Sequence, residues 1–212
     1  MLSLITVIGL QIFANLPQNL NTGDLIFLDL NCGKLCDAIE DATLEQFSVP
    51  GPRLSHVGII SVDPKNKSVS VIEAWPDGGV KKTPLTRVLK RVSDKEDQPG
   101  GYIIGRTKES YRSFAKQAAQ RAMQYIGRPY DDLFFMDSQK LYCSELVYDA
   151  WKGLPTKEPI FKTRPMFFGD PISTSFVVWE QYYESYGISP PTGEMGISPL
   201  GVYFAGKRSL FK

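Results

Sequence analysis

A histidine and a cysteine that lie far apart in the chain are the residues best suited to do chemistry. His56 is the only histidine, and it lies within residues 54–60, whose apolar pattern predicts a buried strand. Cys143 comes three residues before an apolar repeat of helical period, so it is predicted at the start of a helix. A helix N-terminus and a nearby imidazolium both lower the pKa of a thiol, and a cysteine attacks only as the thiolate. The pair therefore predicts a thiol nucleophile and its base, with a structural role as the alternative reading of a lone histidine.

Glu73 is the candidate third member of this set. Two strand-like runs, residues 55–62 and 68–75, flank a turn-forming segment and predict a β-hairpin. If the loop is residues 64–67, residue 63 pairs with 68 and residue 58 with 73, which puts Glu73 on the sheet face of His56. A slip of one residue would send Glu73 to the opposite face. Because an unpaired carboxylate in an apolar run is costly, we predict that Glu73 orients His56; a solvent-facing Glu on an edge strand is the alternative.

The remaining pattern predicts the elements that must position these side chains. A turn at Thr22–Asp24 leads into a buried strand, and further strands are expected near Val80 and at residues 101–106. Apolar residues recur at helical spacing in four stretches besides the one after Cys143: residues 34–46, 85–89, 110–125 and 178–186. There is no internal repeat and no linker that would mark a second domain. We therefore predict one α+β domain.

Composition excludes several classes of protein. The 212 residues carry 24 basic and 23 acidic side chains, a net charge of +1, which gives no field for attracting nucleic acid. Three cysteines are too few for a disulfide framework. Cys32 and Cys36 could pair with each other or bind a metal. For a metal, however, no second Cys/His cluster is present to complete a tetrahedral site. We predict that both are structural thiols and that the protein uses no metal or cofactor.

The N-terminus carries an apolar run, residues 1–13, that is too short to span a membrane as a helix. Its length fits the apolar region of a secretory signal, although a positive segment before it is missing and Ala14 makes a poor cleavage site. We predict that residues 1–16 are a signal peptide or an apolar N-terminal segment, and that residues 17–212 form the single domain that carries His56 and Cys143. Export to the periplasm or cell envelope follows from a signal peptide; a buried N-terminal element in a cytoplasmic protein is the alternative.

Several short motifs, in their order along the chain, resemble one known family. They are Gly23-Asp24-Leu25-Ile26-Phe27, Ser55-His56-Val57-Gly58-Ile59, Ile72-Glu73-Ala74, Gly79-Val80 and Tyr142-Cys143-Ser144-Glu145-Leu146-Val147. With these the chain is similar to the circularly permuted papain-like amidases of the NlpC superfamily, the YiiX/YaeF-like group, from about Thr22 into the tail. The resemblance implies a papain-like α+β core in which an antiparallel sheet bearing the histidine packs on the helix that bears the nucleophile.

The resemblance also assigns roles to residues. It implies that Cys143 is the nucleophile, His56 the base and Glu73 the residue that orients it. Tyr130 matches a tyrosine that lines the oxyanion side in unpermuted relatives, with core packing as the alternative, and the backbone N–H of Cys143 is an expected oxyanion donor. Tyr142 is the second predicted substrate-binding residue. The glycine-rich pair that follows the family tyrosine is replaced here by Asp131-Asp132-Leu133, which weakens any transfer of substrate detail from the cell-wall enzymes.

The leading hypothesis is a cysteine hydrolase that cleaves an amide or peptide bond, such as that of a cell-wall peptide, through a thioester. The second keeps the nucleophile and makes the protein a lipid acyl hydrolase or acyltransferase, with an aromatic tail as the roof of a lipid site. That tail comprises Phe161, Phe167, Phe168, Phe176 and Trp179. The third is a catalytically silent binding module. The expected partners are a small peptide, an amino-acid amide or a lipid-like substrate, with an association with the cell envelope and no nucleic acid.

Overall fold

An antiparallel sheet carries the strands that the sequence predicts. The protein is represented by a computed structural model that describes residues 19–30, 32–92, 94–95, 98–99, 101–136 and 139–212. Its strands are β1 (Leu25–Leu28), β2 (His56–Val62), β3 (Val69–Trp75), β4 (Gly79–Pro84), β5 (Asp94–Lys95), β6 (Gln98–Pro99), β7 (Tyr102–Gly105), β8 (Arg164–Pro165) and β9 (Met195–Gly196). Five strands form the main sheet in the order β4-β3-β2-β1-β7, and the pairs β5-β6 and β8-β9 stand apart from it.

Six α-helices accompany the strands in the described part of the chain. They are α1 (Lys34–Phe47), α2 (Leu85–Leu89), α3 (Arg112–Gln124), α4 (Cys143–Trp151), α5 (Thr174–Glu184) and α6 (Pro199–Ser209), with a 3₁₀-helix (Glu109–Tyr111) before α3. Helix α5 begins earlier than the periodicity predicts, because the Ser173 hydroxyl accepts a hydrogen bond from the N–H of Phe176 (3.2 Å) and caps the first turn. Helix α6 was not predicted, although Ser198 and Pro199 at its start are typical of a helix N-terminus.

The pairing of β2 with β3 confirms the predicted hairpin register. The partners run from Ile59 with Ile72 to Val62 with Val69, and the N–H of Asp63 donates to the carbonyl of Ser68 (2.9 Å). Continued by one step, this register sets residue 58 opposite residue 73. His56 and Glu73 therefore occupy the same face of the sheet, as the loop of four residues requires.

Apolar side chains cover both faces of the sheet. One face packs on α3 and α4; its core contains Phe27, Val57, Ile59 and Ile72 from the strands, Ala115, Ala118 and Ala122 from α3, and Leu146 and Val147 from α4. The other face packs on α2; it contains Ile26, Leu28, Ile60 and Val71 with Leu85 and Val88. The small residues on α3 let that helix approach the sheet closely. Each fully buried large side chain stabilises the fold by about 1.5–3 kcal/mol relative to an exposed one.

A buried carboxylate joins the start of β1 to the strand and helix beside it. Asp24 Oδ1 accepts hydrogen bonds from Arg112 Nη1 (2.8 Å) and from the N–H of Thr107 (3.0 Å). Its Oδ2 accepts from the N–H of Asn21 (3.0 Å). Asp24 is fully buried, so these donors replace the water that the charge would otherwise require. They tie the start of β1 to the segment that follows β7 and to α3.

The prediction that Cys32 and Cys36 are structural thiols is wrong, because they form a disulfide with their Cα atoms 5.5 Å apart. Cys36 lies in the first turn of α1, and Gly33 has a φ of 76°, a conformation that lets the chain fold back over this turn. The spacing of four residues across a helix start therefore suffices for pairing. Cysteine counting did not predict the bond, because nothing in the sequence specified the turn at Gly33.

The N-terminal segment predicted as a signal peptide, residues 1–16, lies outside the described residues, and its role stays a prediction. Among the helices that the structure describes, none combines the length and the apolar character needed to cross a bilayer.

Gly58 lies opposite Glu73 in the hairpin, at a position where β3 leaves no room for a side chain. A Cβ atom at position 58 would collide with Val71 Cγ1 and would lie 3.2 Å from the carbonyl oxygen of Ile72. We expect Gly58→Ala to lower the free energy of unfolding by about 1–3 kcal/mol, measured by urea denaturation, because overpacking displaces these neighbours.

Gly101→Ala is the matched control for this substitution. Nothing lies within 4 Å of a Cβ atom built at Gly101, so its expected change stays within about 0.5 kcal/mol. Equal effects of the two substitutions would contradict the packing argument.

Candidate active site

The centre of the site is a buried hydrogen bond between two neighbouring strands. His56, the first residue of β2, places its Nε2 atom 2.8 Å from Oε2 of Glu73 on β3. His56 is 4% exposed and Glu73 is completely buried. The bond fixes the plane of the imidazole and leaves Nδ1 as the ring nitrogen that can face a nucleophile. The predicted partnership of these two residues is thus present in the structure.

Helix α4 brings the cysteine to this histidine. Cys143 is the first residue of the helix, and α4 packs against β2 and β3. The thiol interacts with the imidazole of His56, and the backbone N–H of Val57 donates a hydrogen bond to the sulfur. Glu145 Oε2 accepts from the N–H of Tyr142 (3.4 Å) and so holds the first turn of the helix. Cys143 is the free cysteine of the chain, since the other two are paired.

The electrostatics favour a thiolate and an imidazolium. Burial by itself raises the pKa of Cys143, but the hydrogen bond and charge of His56, with the Val57 N–H, outweigh it and lower that pKa. Burial would likewise lower the pKa of His56, but hydrogen bonds to Cys143 and Glu73 outweigh it and raise that pKa to about 9. Each partner stabilises the charged form of the other. The pair therefore favours the thiolate of Cys143 together with the imidazolium of His56.

Glu73 stays ionised although it is buried. Burial raises its pKa, but the hydrogen bond and charge of His56 outweigh this, assisted by Thr83 and Arg91, and the pKa falls to about 2. A permanent negative charge at this position favours the imidazolium that forms next to it. The Glu73 carboxylate thus favours the charged form of His56, just as His56 favours the charged form of Cys143.

Arg91 is a member of the site that the sequence analysis did not identify. Its Nη1 atom lies 3.0 Å from Oε1 and 3.1 Å from Oε2 of Glu73. The guanidinium also lies over the ring of Trp75, 3.9 Å from the ring centroid, and Trp75 meets the ring of His56 edge-on with centroids 5.2 Å apart. Arg91 therefore holds both the carboxylate and the ring that border His56. Arg91 follows α2 in an ordinary basic stretch, so no local pattern indicates this role.

The two predicted substrate-binding tyrosines line the same cleft but are placed differently. Tyr130 is half-buried near the nucleophile, and burial together with the negative charge of Cys143 raises the pKa of its phenol well above the usual value. The phenol therefore keeps its O–H, which can donate a hydrogen bond. The Tyr142 hydroxyl, in contrast, accepts from the N–H of Ile197 (3.1 Å) and donates to Met136 Sδ (3.1 Å), so it fastens the tail beside Cys143. The amide N–H of Cys143 has no partner within its helix, because it is in the first turn.

An apolar cleft opens beside Cys143. Helix α1, the loop before α4 and the tail form its walls; the side chains include Ile39, Phe134, Met166, Phe167, Phe168, Trp179 and Ile197. Of the five aromatic tail residues predicted to roof a lipid site, Phe167, Phe168 and Trp179 line this cleft. Phe161 instead packs in the main core against Trp151, with ring centroids 5.8 Å apart. Phe176 packs beside the aromatic cluster of α5 and is not among the lining residues.

Comparison with known proteins agrees with this geometry. The sequence profile described as "Permuted papain-like amidase enzyme, YaeF/YiiX, C92 family" matches residues 19–195. The chain is similar to "Uncharacterized protein YiiX" of Escherichia coli strain K12, with 29% identity over 209 residues, 97% of this chain and 91% of that protein. It also resembles the crystal structure of a protein described as metalloprotein yiiX from Escherichia coli O157:H7, with a TM-score of 0.66, 27% identity, and coverage of 86% of this chain and 91% of that one. These matches confirm the predicted permuted papain-like fold.

The description of that neighbour as a metalloprotein makes the metal donors of this chain relevant. Within the residues that the structure describes, no three side chains among His, Cys, Asp and Glu are grouped so that they could hold a metal ion. The one histidine is engaged by Glu73 and Cys143, and the other cysteines are joined in the disulfide. The donor set of this site therefore does not fit a metal centre.

The interaction of Cys143 with His56 predicts an unusual titration. His56 is the only histidine, so its ring proton resonances need no assignment by comparison. We expect a midpoint of about 9 in the native protein, with the imidazolium present below that pH and lost above it. Cys143→Ala should lower the midpoint, because it removes the first of the interactions that raise the pKa. A native midpoint near the ordinary value, or one that Cys143→Ala leaves unchanged, would contradict the ion pair.

Arg91 is expected to act as a positioning residue through Glu73. Arg91→Met should slow alkylation of Cys143 by iodoacetamide at pH 7 by about tenfold, a part of the ~1.5–3 kcal/mol that a charged hydrogen bond contributes. It should also shift the alkaline limb of the pH profile to lower pH. A less firmly held Glu73 stabilises the imidazolium of His56 less, so the ring loses its proton at a lower pH.

Arg91→Lys should recover part of the rate, since it keeps the charge and loses the planar contact with Trp75. Arg87→Met, at an exposed arginine of α2, is the matched control and should leave the profile unchanged. If Arg91→Met only lowered the unfolding midpoint, with the alkylation profile intact, Arg91 would be a structural residue.

Proposed function

The chain belongs to the permuted papain-like amidases of the YaeF/YiiX, C92 family, and on that basis we propose that it is a cysteine hydrolase that cleaves an amide or peptide bond through a thioester on Cys143. The observation that carries the proposal is the buried interaction of Cys143 with His56, which Glu73 supports from the neighbouring strand at 2.8 Å. A helix-start cysteine whose thiol pKa is lowered is equipped to attack a carbonyl carbon.

The first half of the proposed reaction forms the thioester. The Cys143 thiolate attacks the carbonyl carbon, a C–S bond forms, and the electron pair of the carbonyl moves to its oxygen. The N–H of Cys143 and the hydroxyl of Tyr130 are the donors proposed for this oxyanion. As the oxyanion collapses, the C–N bond breaks and the imidazolium of His56 gives its proton to the leaving nitrogen. The amine departs with that proton, and His56 is left neutral.

The second half returns the enzyme to its starting state. Neutral His56 takes a proton from water while the water oxygen attacks the thioester carbon. The C–S bond then breaks, the acid product leaves, and Cys143 is again a thiolate next to an imidazolium. Glu73 keeps the ring oriented through both halves and stabilises each imidazolium that forms. No group besides water enters the reaction.

A second candidate keeps the same nucleophile and changes the acyl group. The apolar cleft beside Cys143, with Phe134, Phe168 and Trp179 on one wall, favours a lipid acyl hydrolase or acyltransferase. An acyl ester would form the same thioester as its C–O bond breaks and its alcohol leaves with the proton of His56, and either water or an amine would then accept the acyl group. A silent binding module is the least supported function, because such a module has no need for a lowered thiol pKa.

The proposed location is the periplasm or cell envelope. The Cys32–Cys36 disulfide supports it, since disulfides persist in oxidising compartments and are rare in the cytosol of mesophiles. The partners proposed are a small peptide, an amino-acid amide or a lipid-like substrate.

The test is turnover of matched amide and ester substrates by the native protein and two variants. Cys143→Ala should lose turnover of every substrate, by at least about 10³-fold, because it removes the nucleophile. His56→Ala should lose nearly as much, since the chain has no second histidine to serve as base. Faster cleavage of amides supports the leading function and faster cleavage of acyl lipids supports the second. Turnover that survives in Cys143→Ala, with an unchanged unfolding midpoint, would overturn both.

A further inference from the structure

We propose that Arg164 binds an anionic group of the substrate, so that the preferred substrates are amides that carry a carboxylate or a phosphate next to an apolar group. The inference rests on the proposed hydrolase function and names its substrate class. Arg164 is one of the residues that line the cleft of Cys143. It was not among the sequence-predicted site residues, because it lies in the tail, 21 residues beyond the nucleophile.

The tail holds Arg164 at the cleft through a series of fixed contacts. Arg164 lies in β8, where it pairs with Gly196 of β9. The residue after Gly196, Ile197, donates its N–H to the Tyr142 hydroxyl (3.1 Å), and its carbonyl accepts from Ser144 Oγ (2.6 Å). Tyr142 and Ser144 flank Cys143 on either side. The two residues on either side of Cys143 therefore anchor the strand pair that carries Arg164.

The guanidinium of Arg164 is oriented but has no anionic partner within the described part of the chain. It lies over the ring of Phe47, 4.1 Å from the ring centroid, and no described carboxylate oxygen lies within 4 Å of it. The acidic residue near Phe47 on α1, Glu45, has a different partner, because its carboxylate accepts from the N–H of Asp170 (3.3 and 3.4 Å). Stacking covers one face of the guanidinium and leaves the N–H groups at its edge available.

The charge of the cleft fits an amphiphilic anion. Arg164 is the only Arg, Lys, His, Asp or Glu among the described residues that line the cleft; besides the Cys143 thiol, the rest are apolar, aromatic, hydroxyl or amide groups. A planar guanidinium in such surroundings recognises carboxylate or phosphate oxygens by paired hydrogen bonds. The aromatic wall takes the apolar part of the ligand, and Cys143 faces the scissile bond.

An N-acyl amino acid is the smallest molecule that meets these requirements together. It places an apolar acyl group, the amide bond and a carboxylate within a few bonds of one another. A phosphate on the amine side of the amide would offer similar anionic oxygen atoms to Arg164. The probes are therefore N-dodecanoylglycine, its neutral analogue N-dodecanoylglycinamide, and N-dodecanoyl-phosphoethanolamine.

Binding of these probes to Cys143→Ala, measured by titration calorimetry, tests the proposal without turnover. The anionic probes should bind at least about tenfold more tightly than the glycinamide, as expected for a charge-assisted hydrogen bond. Arg164→Gln in the same background should abolish this difference and leave the affinity for the glycinamide within about twofold. Arg164→Lys should keep part of it, because a point charge replaces the planar donor.

Arg128→Gln is the matched control. Arg128 also lies over an aromatic ring, that of Tyr125 at 4.4 Å, but it does not line the cleft. This variant should leave all three affinities unchanged. Whichever of the two anionic probes binds more tightly shows whether Arg164 prefers a carboxylate or a phosphate.

The remaining outcomes separate the inference from the proposed function. Equal affinity for charged and neutral probes, binding of none of them, or an equal weakening of all three by Arg164→Gln would overturn the inference. If native protein bound N-dodecanoylglycine through Arg164 and released no glycine, the hydrolase function would fail and the anion site would stand. If the neutral amide were turned over at the same rate as the charged one, the hydrolase function would be supported and the anion site would be contradicted.

Discussion

The hydrogen bond between His56 and Glu73 is a charged contact in a place that excludes water, and the structure around it supplies what water would have supplied. Glu73 is fully buried, so the charge it carries requires donors from the protein. His56 provides one at 2.8 Å and Arg91 provides another at 3.0 Å. Each donor comes from a different element, and the bond therefore fixes how β2, β3 and the segment after α2 sit together.

The same bond explains the lowered pKa of the Cys143 thiol. A buried thiolate is unfavourable unless a cation lies beside it, and His56 remains a cation because Glu73 lies behind it. The charges thus alternate from Arg91 through Glu73 and His56 to Cys143. Removing any one of them changes the pKa of the next. The proposed mechanism depends on this arrangement, since the proton that His56 holds is the one that the leaving nitrogen receives.

The second half of the site belongs to the tail of the chain. Tyr142 and Ser144 bind Ile197, so the residues that flank the nucleophile also fasten the wall of the cleft. This arrangement places an aromatic surface and one guanidinium next to Cys143. The segment of Cys143 and the strand pair that carries Arg164 therefore share one anchoring point, although Ser144 and Ile197 are 53 residues apart in sequence.

The hairpin register, the helix start at Cys143 and the alternation of apolar residues could be predicted from the sequence, because these depend on spacing within one or two neighbouring elements. The four-residue loop sufficed to put Glu73 on the face of His56. The tertiary structure decided the partner of Glu73 on its other side, the pairing of Cys32 with Cys36, and the position of Arg164. In the sequence, Arg91 and Arg164 do not differ from ordinary surface arginines. Helix α6 was not predicted, although Ser198 and Pro199 at its start are typical of a helix N-terminus. Only the packed chain shows which carboxylate or ring each arginine meets, because such contacts join segments whose distance apart no local pattern encodes.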